Sequence, residues 1–396
     1  MISVQEAKHI IQSNIASSKK EIISLSNACG LTLAEDIFSP MDVPQFNQSA
    51  MDGFAFKFVN DEMNMFTVVG EMQAGASIAP RVGPGEAIRI FTGAPVPDTC
   101  DTVVMKEKTC VEDNVVSITQ NTFAYGDNVR LKGSEIQRGD IAMEKGLTLT
   151  PAAIGFAASL GISELLVFAS PKITLIITGD ELVEPGNPLY YGQVYNSNAY
   201  TLQAALEQIY PFNVKVLYAK DTANAVERNV KDALSDADFI LLTGGVSAGD
   251  YDFVPQVLAN CGITQLFHKI KQKPGKPLYF GKNEGTIVFG LPGNPASVLT
   301  CFYEYVMPAL LQYMHKQPPD SVCKLILTKP ISKKSGLTHF LKGRYTQTSV
   351  TPLQAQESYR MSSFSMADCF ICLDENCTDL QAGEIVEVHK FPFHYL

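Results

Sequence analysis

Hydrophobic positions follow three different rhythms along the chain. Near the start, Ala7, Ile10, Ile11 and Ile15 recur on one helical face, and Ser3 and Glu6 have capping-box spacing, so a helix is predicted there. From Pro44 to Gly146 the rhythm shortens to β-type runs at Phe66–Val69, Ala87–Phe91, Thr102–Met105 and Val115–Thr119. Gly- and Pro-rich turns such as Arg81–Gly85 separate them, which predicts a β-sandwich or barrel-like domain. Thr150-Pro151 reads as an N-cap with proline at the first helical position, opening a short apolar helix to Leu160.

From about residue 171 the period changes again. The predicted strands Ile173–Thr178, Val214–Tyr218, Phe239–Thr243 and Thr286–Phe289 alternate with helices at Ser197–Ile209, Asn224–Leu234, Phe253–Leu258 and Pro295–Leu311. Such alternation predicts βαβ units and a parallel sheet covered on both faces. Beyond about residue 320, runs at Lys324–Leu327, Cys369–Leu373 and Glu384–Val388 return to β patterning and predict a small C-terminal β-domain. The expected fold class is therefore multidomain α/β plus β.

Composition narrows the function. At roughly 100–200 residues per domain, the 396 residues make two to four domains. A hydrophobic fraction of 46% with 18% charged residues excludes a disordered or fibrous chain. The net charge of −10 argues against general nucleic-acid binding, which needs a basic face, so any anionic ligand requires a local basic cluster. Nine cysteines, an odd and scattered number, fit a reducing compartment better than a disulfide framework. Glu6, Lys8 and His9 stand where a secretory leader needs apolar residues, and the apolar stretch Pro151–Ile162 is too short to cross a membrane. The expectation is a soluble cytoplasmic protein.

In an open α/β sheet, ligands bind outside the carboxyl ends of the strands. Three predicted strand ends carry acidic side chains: Asp180-Glu181 after the first, Asp221 after the second, and Asp250 and Asp252 after the third. Carboxylates gathered this way call for a cation, and Mg²⁺ is the natural partner; helix caps or turn residues are the plain alternative. In Thr243–Ser247 the pair Gly244-Gly245 lets backbone N–H groups approach a phosphate, or simply permits a tight turn, and Ser247 follows. Lys269, Lys271 and Lys273 alternate at period two, which on a strand puts all three on one face, and Pro274-Gly275-Lys276-Pro277 follows. Four lysines within eight residues of an acidic chain form a candidate anion site. Pro292-Gly293-Asn294-Pro295 leads into the last helix with Asn294 as cap, and Ser297 lies in the first turn. Cys369, Cys372 and Cys377 are spaced as a metal string that lacks a fourth ligand, with His389 and His394 available; core packing is the favoured reading. The six histidines avoid the rim motifs, so a histidine-based triad is not expected.

Taken together, Asn47–Phe56 (NQSAMDGFAF), Arg89–Val96 (RIFTGAPV), Gly179–Leu182 (GDEL), Gly244–Asp252 (GGVSAGDYD), Lys273–Pro277 (KPGKP) and Gly290–Ser297 (GLPGNPAS) closely resemble the molybdopterin molybdenumtransferase family. These are the MoeA-type enzymes related to the gephyrin E domain. The resemblance implies a linking region from residues 1–45 and 140–170, an inserted β-rich domain at 46–139, an α/β molybdopterin-binding domain at 171–318 and a C-terminal β-domain at 319–396. It implies a homodimer that inserts molybdate into adenylylated molybdopterin with release of AMP, assisted by Mg²⁺ on Glu181, Asp221 and Asp252. It assigns functional roles to Asp52, Thr92, Glu181, Asp221, Asp252, Lys273 and Lys276, with Asp52 and Thr92 reaching the cleft from the partner protomer. Substrate and molybdate contacts are expected from Gly244, Gly245, Ser247, Pro292, Gly293, Asn294, Ser297, Lys342 and Ser358.

The chain departs from the family pattern at Lys342, where Arg is usual, at Ser358-Tyr359, where small residues are usual, and at Ala248, where Val is frequent. A complex with the molybdopterin-adenylylating enzyme or with cofactor-accepting molybdoenzymes stays open. Two other functions stay open as well: a non-catalytic molybdopterin-binding scaffold and a molybdopterin adenylyltransferase.

Overall fold

The computed structural model describes residues 1–60, 63–119, 123–246, 253–317 and 321–392. Two compact units are present: residues 1–21, 30–32 and 167–396 form the first, and residues 22–29 and 33–166 the second.

The first unit is built on a six-stranded sheet of β1 (Ile173–Thr178), β2 (Val214–Ala219), β3 (Phe239–Thr243), β4 (Thr264–His268), β5 (Tyr279–Lys282) and β6 (Ile287–Leu291), in the order β2-β1-β3-β6-β5-β4. The pairs β1–β2, β1–β3 and β3–β6 are parallel. Every residue of β1 and β3 is buried, as expected for central parallel strands covered on both faces. The β5 pairings with β4 and β6 are antiparallel, which helix–strand alternation did not predict. Helices Ala223–Leu234 and Val254–Asn260 cover one face, with Val226, Val230, Val257 and Leu258 fully or almost fully buried against Ile176, Ile240 and Leu242. The helical run opened by Pro295 reaches Tyr313 but contains a π-helical stretch at Phe302–Val306.

The C-terminal strands are β7 (Val322–Leu327), β8 (Thr338–Tyr345), β9 (Ser349–Pro352), β10 (Cys369–Leu373) and β11 (Ile385–Lys390). They pair β8-β9-β7-β11-β10, and β10 returns to β8, so they close a five-stranded barrel. Leu325, Leu327, Val350, Cys369, Ile371, Leu373, Val386 and Val388 fill it. Because side chains alternate across a strand, Phe370, Cys372, Glu387 and His389 face the other way. Cys369 and Cys372 therefore lie on opposite faces and cannot share one ion. The two-residue strand Gln272–Lys273 adds to β8 in parallel.

The second unit holds a six-stranded sheet ordered Thr102–Met105, Gly53–Phe56, Glu86–Ile90, Met65–Met72, Val115–Ile118 and Thr109–Glu112. Its central pair, Met65–Met72 with Glu86–Ile90, is parallel and the others are antiparallel. Alternation again divides the core: Ala55, Ile88 and Val103 pack on one side, and Phe54, Phe56, Ala87 and Val104 on the other. Helix Pro151–Ser159 starts as its sequence requires, with Thr150 Oγ1 accepting from the Ala153 N–H at 3.2 Å. Among the described residues, no helix is long and apolar enough to cross a membrane.

Candidate functional site

Parallel strands deliver their carboxyl ends to one rim, and chain order reverses between β1 and β3. A cleft of about 890 Å³ opens at this end of the first unit. Its wall includes Glu181 from the loop after β1, Asn198 at the start of the next helix, Lys273 and Lys276, Asn294 and Ser297 after β6, and Ser358 from the barrel. Five chain segments thus meet in one concavity.

The lysine loop is held from below. Gln272 is buried and its Nε2 donates to the carbonyls of Pro274 at 3.1 Å and Gly275 at 3.2 Å. Its Oε1 accepts from the Tyr305 hydroxyl of the helical run. Gly275 has φ +84°, and a Cβ there would stand 2.6 Å from Cys301 Sγ. Only glycine lets the loop lie this close to the helix. The result presents Lys276 and Lys273 to solvent on the cleft wall. Neither pairs with a carboxylate among the described residues. The three alternating lysines do not share one strand face, because Lys269 has φ +76° and breaks the extended backbone. Lys271 instead pairs with Glu375 at 3.7 Å.

The loop after β6 is stitched to the barrel. Asn294 occupies the cap position without using its side chain as a cap; its Nδ2 donates to Ser358 Oγ at 3.0 Å. The Ala296 N–H donates to the Ser358 carbonyl at 3.1 Å. Pro292, Gly293 and Ser297 complete this part of the wall.

Lys342 does not line the cleft. It is buried, and its Nζ donates to the carbonyls of Ala355 at 2.9 Å and Arg360 at 3.1 Å rather than lining the cleft. Burial lowers its pKa, offset in part by Glu357. Its backbone N–H donates to Gln356 Oε1 at 2.9 Å, so this lysine shapes the loop that carries Gln356 and Ser358.

Gly244 and Gly245 pack closely against neighbouring elements. A Cβ on Gly244 would stand 2.5 Å from Thr178 Oγ1, and one on Gly245 2.7 Å from Val254 Cγ2. Gly244 lets the turn after β3 pass close to the end of β1, Gly245 lets it lie against Val254 of the next helix, and neither glycine lines the cleft. Asp221 follows β2, is exposed, and donates its N–H to Asp180 Oδ1 at 3.4 Å. Ser247, Ala248, Asp250 and Asp252 lie outside the described residues.

Asp52 and Thr92 belong to the second unit and meet there. Asp52 Oδ1 accepts from both the N–H and the hydroxyl of Thr92 at 2.8 Å each, and Lys106 Nζ lies 3.8 Å from Oδ2. The Thr92 N–H, then its hydroxyl, hold the Asp52 carboxyl below its usual range.

Sequence reading missed Asn198. Its Nδ2 donates to the Gly293 carbonyl at 2.8 Å, tying the helix start to the loop after β6, while its Oδ1 is buried with no partner. It also missed Gln272 and Gln356, because a lone glutamine carries no spacing signal. Asn198 sits where a helix begins after a turn, so its capping chemistry was the one available clue.

Glu181, Asp180 and Asp221 have no cationic partner among the described residues. Such an open acidic rim suits Mg²⁺, which keeps several waters and takes one or two carboxylates together with substrate phosphates. Glu181 lines the cleft, Asp180 and Asp221 do not, and the two cleft lysines, without a carboxylate partner among the described residues, suit an anion. The arrangement can therefore hold a polyanion and a divalent ion side by side.

Comparison with known proteins identifies the family. Residues 2–161 match the MoeA N-terminal region (domain I and II), residues 174–312 a probable molybdopterin binding domain, and residues 324–391 the MoeA C-terminal region (domain IV). The chain is 35% identical over 390 residues to the molybdopterin molybdenumtransferase of Haemophilus influenzae, covering 96% of this chain and 95% of that one. It is 32% identical to the Staphylococcus epidermidis enzyme of the same name, covering 98% and 95%. Among solved structures, the Pyrococcus horikoshii molybdopterin biosynthesis MoeA protein superposes with a TM-score of 0.81 at 29% identity, covering 98% of this chain and 99% of that one. A fold in which an α/β sheet, a β-rich insert and a C-terminal barrel combine, matched along its length by these relatives, places the chain in the molybdopterin molybdenumtransferase family, enzymes of molybdenum cofactor biosynthesis.

Proposed function

We propose that this enzyme inserts molybdate into adenylylated molybdopterin and releases AMP, in a Mg²⁺-dependent reaction. The observation that carries this reading is the cleft where Glu181 shares a wall with Lys273 and Lys276, which have no carboxylate partner among the described residues. The substrate joins an anionic pterin dithiolene to AMP through a pyrophosphate, and molybdate is itself an anion. Lys273 and Lys276 bind these oxygens and offset charge that develops as the phosphoanhydride bond breaks. Ser297, Ser358 and the Gly293–Asn294 backbone orient the anions, with Lys342 as a positioning residue beneath Ser358. Glu181, Asp221 and Asp252 are the carboxylates to hold Mg²⁺, which supplies polarisation of the pyrophosphate when bound. No covalent nucleophile is required.

The reading extends to a cytoplasmic homodimer in which Asp52 and Thr92 of one protomer complete the cleft of its partner. The domain limits proposed are those expected from the sequence, with residues 171–318 binding molybdopterin.

Incubation of pure protein with adenylylated molybdopterin, Mg²⁺ and molybdate tests it. AMP release that requires molybdate is expected, and Glu181→Gln should slow it strongly. Binding without AMP release would indicate a scaffold. Formation of adenylylated molybdopterin from ATP would indicate an adenylyltransferase. A Glu181→Gln variant at full rate would remove this carboxylate from the metal role.

A further inference from the structure

On the outer face of the barrel, Cys372 of β10 is the direct cross-strand partner of Glu387 on β11, and His389 follows two residues later on the same face. Two positions two apart on one strand and a third opposite on its neighbour bring three side chains to one point. The Cys372 Sγ, a Glu387 carboxylate oxygen and a His389 ring nitrogen all lie within 4.8 Å of one another. His389 is oriented from behind: Nδ1 hydrogen-bonds Glu304 Oε1 at 2.8 Å, which leaves Nε2 directed toward Glu387 Oε1 at 2.9 Å. Glu304 is itself buried and held by Lys8 Nζ at 2.6 Å. None of these residues lines the cleft.

From this geometry we infer a second metal site, in which Cys372, Glu387 and His389 bind Zn²⁺ and Glu304 serves as the outer carboxylate that fixes the imidazole. Thiolate, imidazole and carboxylate together are a zinc donor set, and three protein ligands leave the fourth position to water. A carboxylate on the far ring nitrogen of a ligating histidine is the recurrent supporting contact in such sites. Bonds of about 2.0–2.3 Å put tetrahedral donors roughly 3.3–3.8 Å apart, within small side-chain shifts of the present spacing. Entry is open, because the Glu387 side chain is 48% exposed while His389 is 12% exposed. Binding releases the Cys372 thiol proton, and any proton on His389 Nε2, to solvent. A fully satisfied hydrogen-bonded cluster with no affinity for metal is the competing account.

The test uses chelator-treated, reduced full-length protein with Zn²⁺ or Co²⁺ alone. One Zn²⁺ per chain retained in competition with a chromogenic chelator is expected, together with a thiolate-to-cobalt charge-transfer band on Co²⁺ addition and a rise in melting temperature with Zn²⁺. Cys372→Ser and His389→Gln should each abolish the band and weaken Zn²⁺ by more than the roughly 10–100-fold typical of losing an outer-shell partner. Glu387→Gln, at a half-exposed position, should weaken binding without threatening the fold, and Cys377→Ala should leave the band intact. The inference is overturned if wild type binds no stoichiometric Zn²⁺, if the cobalt band is absent, or if it survives Cys372→Ser at parental strength.

Discussion

Two regions of the first unit use the same residue types in opposite ways. In the cleft, Lys273, Lys276 and Glu181 have no ionic partner among the described residues and face solvent. Around Glu304, every charge is matched: Lys8 and His389 flank one buried carboxylate, and Glu387 takes the other side of the imidazole. Burial alone would push the Glu304 carboxyl up, yet the Lys8 ammonium and His389 outweigh it and hold it at about 2. A buried charge without a partner is too costly to persist, whereas an exposed charge is free to wait for a ligand. Matching therefore keeps a buried charge stable, whereas an unmatched charge in a concavity is available to a ligand.

The contrast can be broken at the matched end first. Glu304→Ala in metal-free protein strands the buried His389 without its carboxylate, and an unfolding free energy lower by about 3–5 kcal/mol is expected from urea titration. A change below about 1 kcal/mol would mean that water replaces the carboxylate at little cost. At the unmatched end, Lys276→Ala should leave the urea midpoint within about 0.5 kcal/mol of wild type, as for other surface changes. Its rate of molybdate-dependent AMP release should fall by roughly 10²–10³-fold, the loss of one preorganised donor to developing negative charge. If Lys276→Ala unfolded the protein but kept its rate, the division drawn here would be reversed.

The smallest effect lies where the two regions adjoin. His339 is the register partner of Lys273. Burial pulls its imidazole down to about 4, and Lys333 and Lys273 add to this. Its folded value lies below the ordinary 6.5, so the unfolded chain binds a proton first as pH falls. The His339 contribution is complete above that ordinary value, declines as pH falls toward about 4, and changes no further below it. Urea midpoints across this range should slope more steeply for wild type than for His339→Gln. Equal slopes would assign the acid sensitivity to other groups.

Much of the fold was legible because its signals are local. Ser3 and Glu6 form the capping box their spacing predicts, and Thr150 caps the helix that Pro151 opens. The run Ile173–Thr178, apolar but for Thr174 and Thr178, is a fully buried central strand. The antiparallel β4–β5 edge was less legible, since Tyr279–Lys282 carries no period that separates a parallel from an antiparallel partner. The lysine alternation misled because a single positive φ at Lys269 ends the strand before its period can act.

By itself, the sequence determined the element types, the acidic strand ends and the position of the lysine loop, since caps, turns and periodicity depend on residues a few positions apart. Only the tertiary structure decided which charges are spent and which are free. Lys342 and Lys276 are alike on paper, yet one ends on two backbone carbonyls and the other on open solvent. The reason is physical: the energy of a charge is set by its desolvation and its partners, and those come from segments as distant in the chain as Lys8, Glu304 and His389.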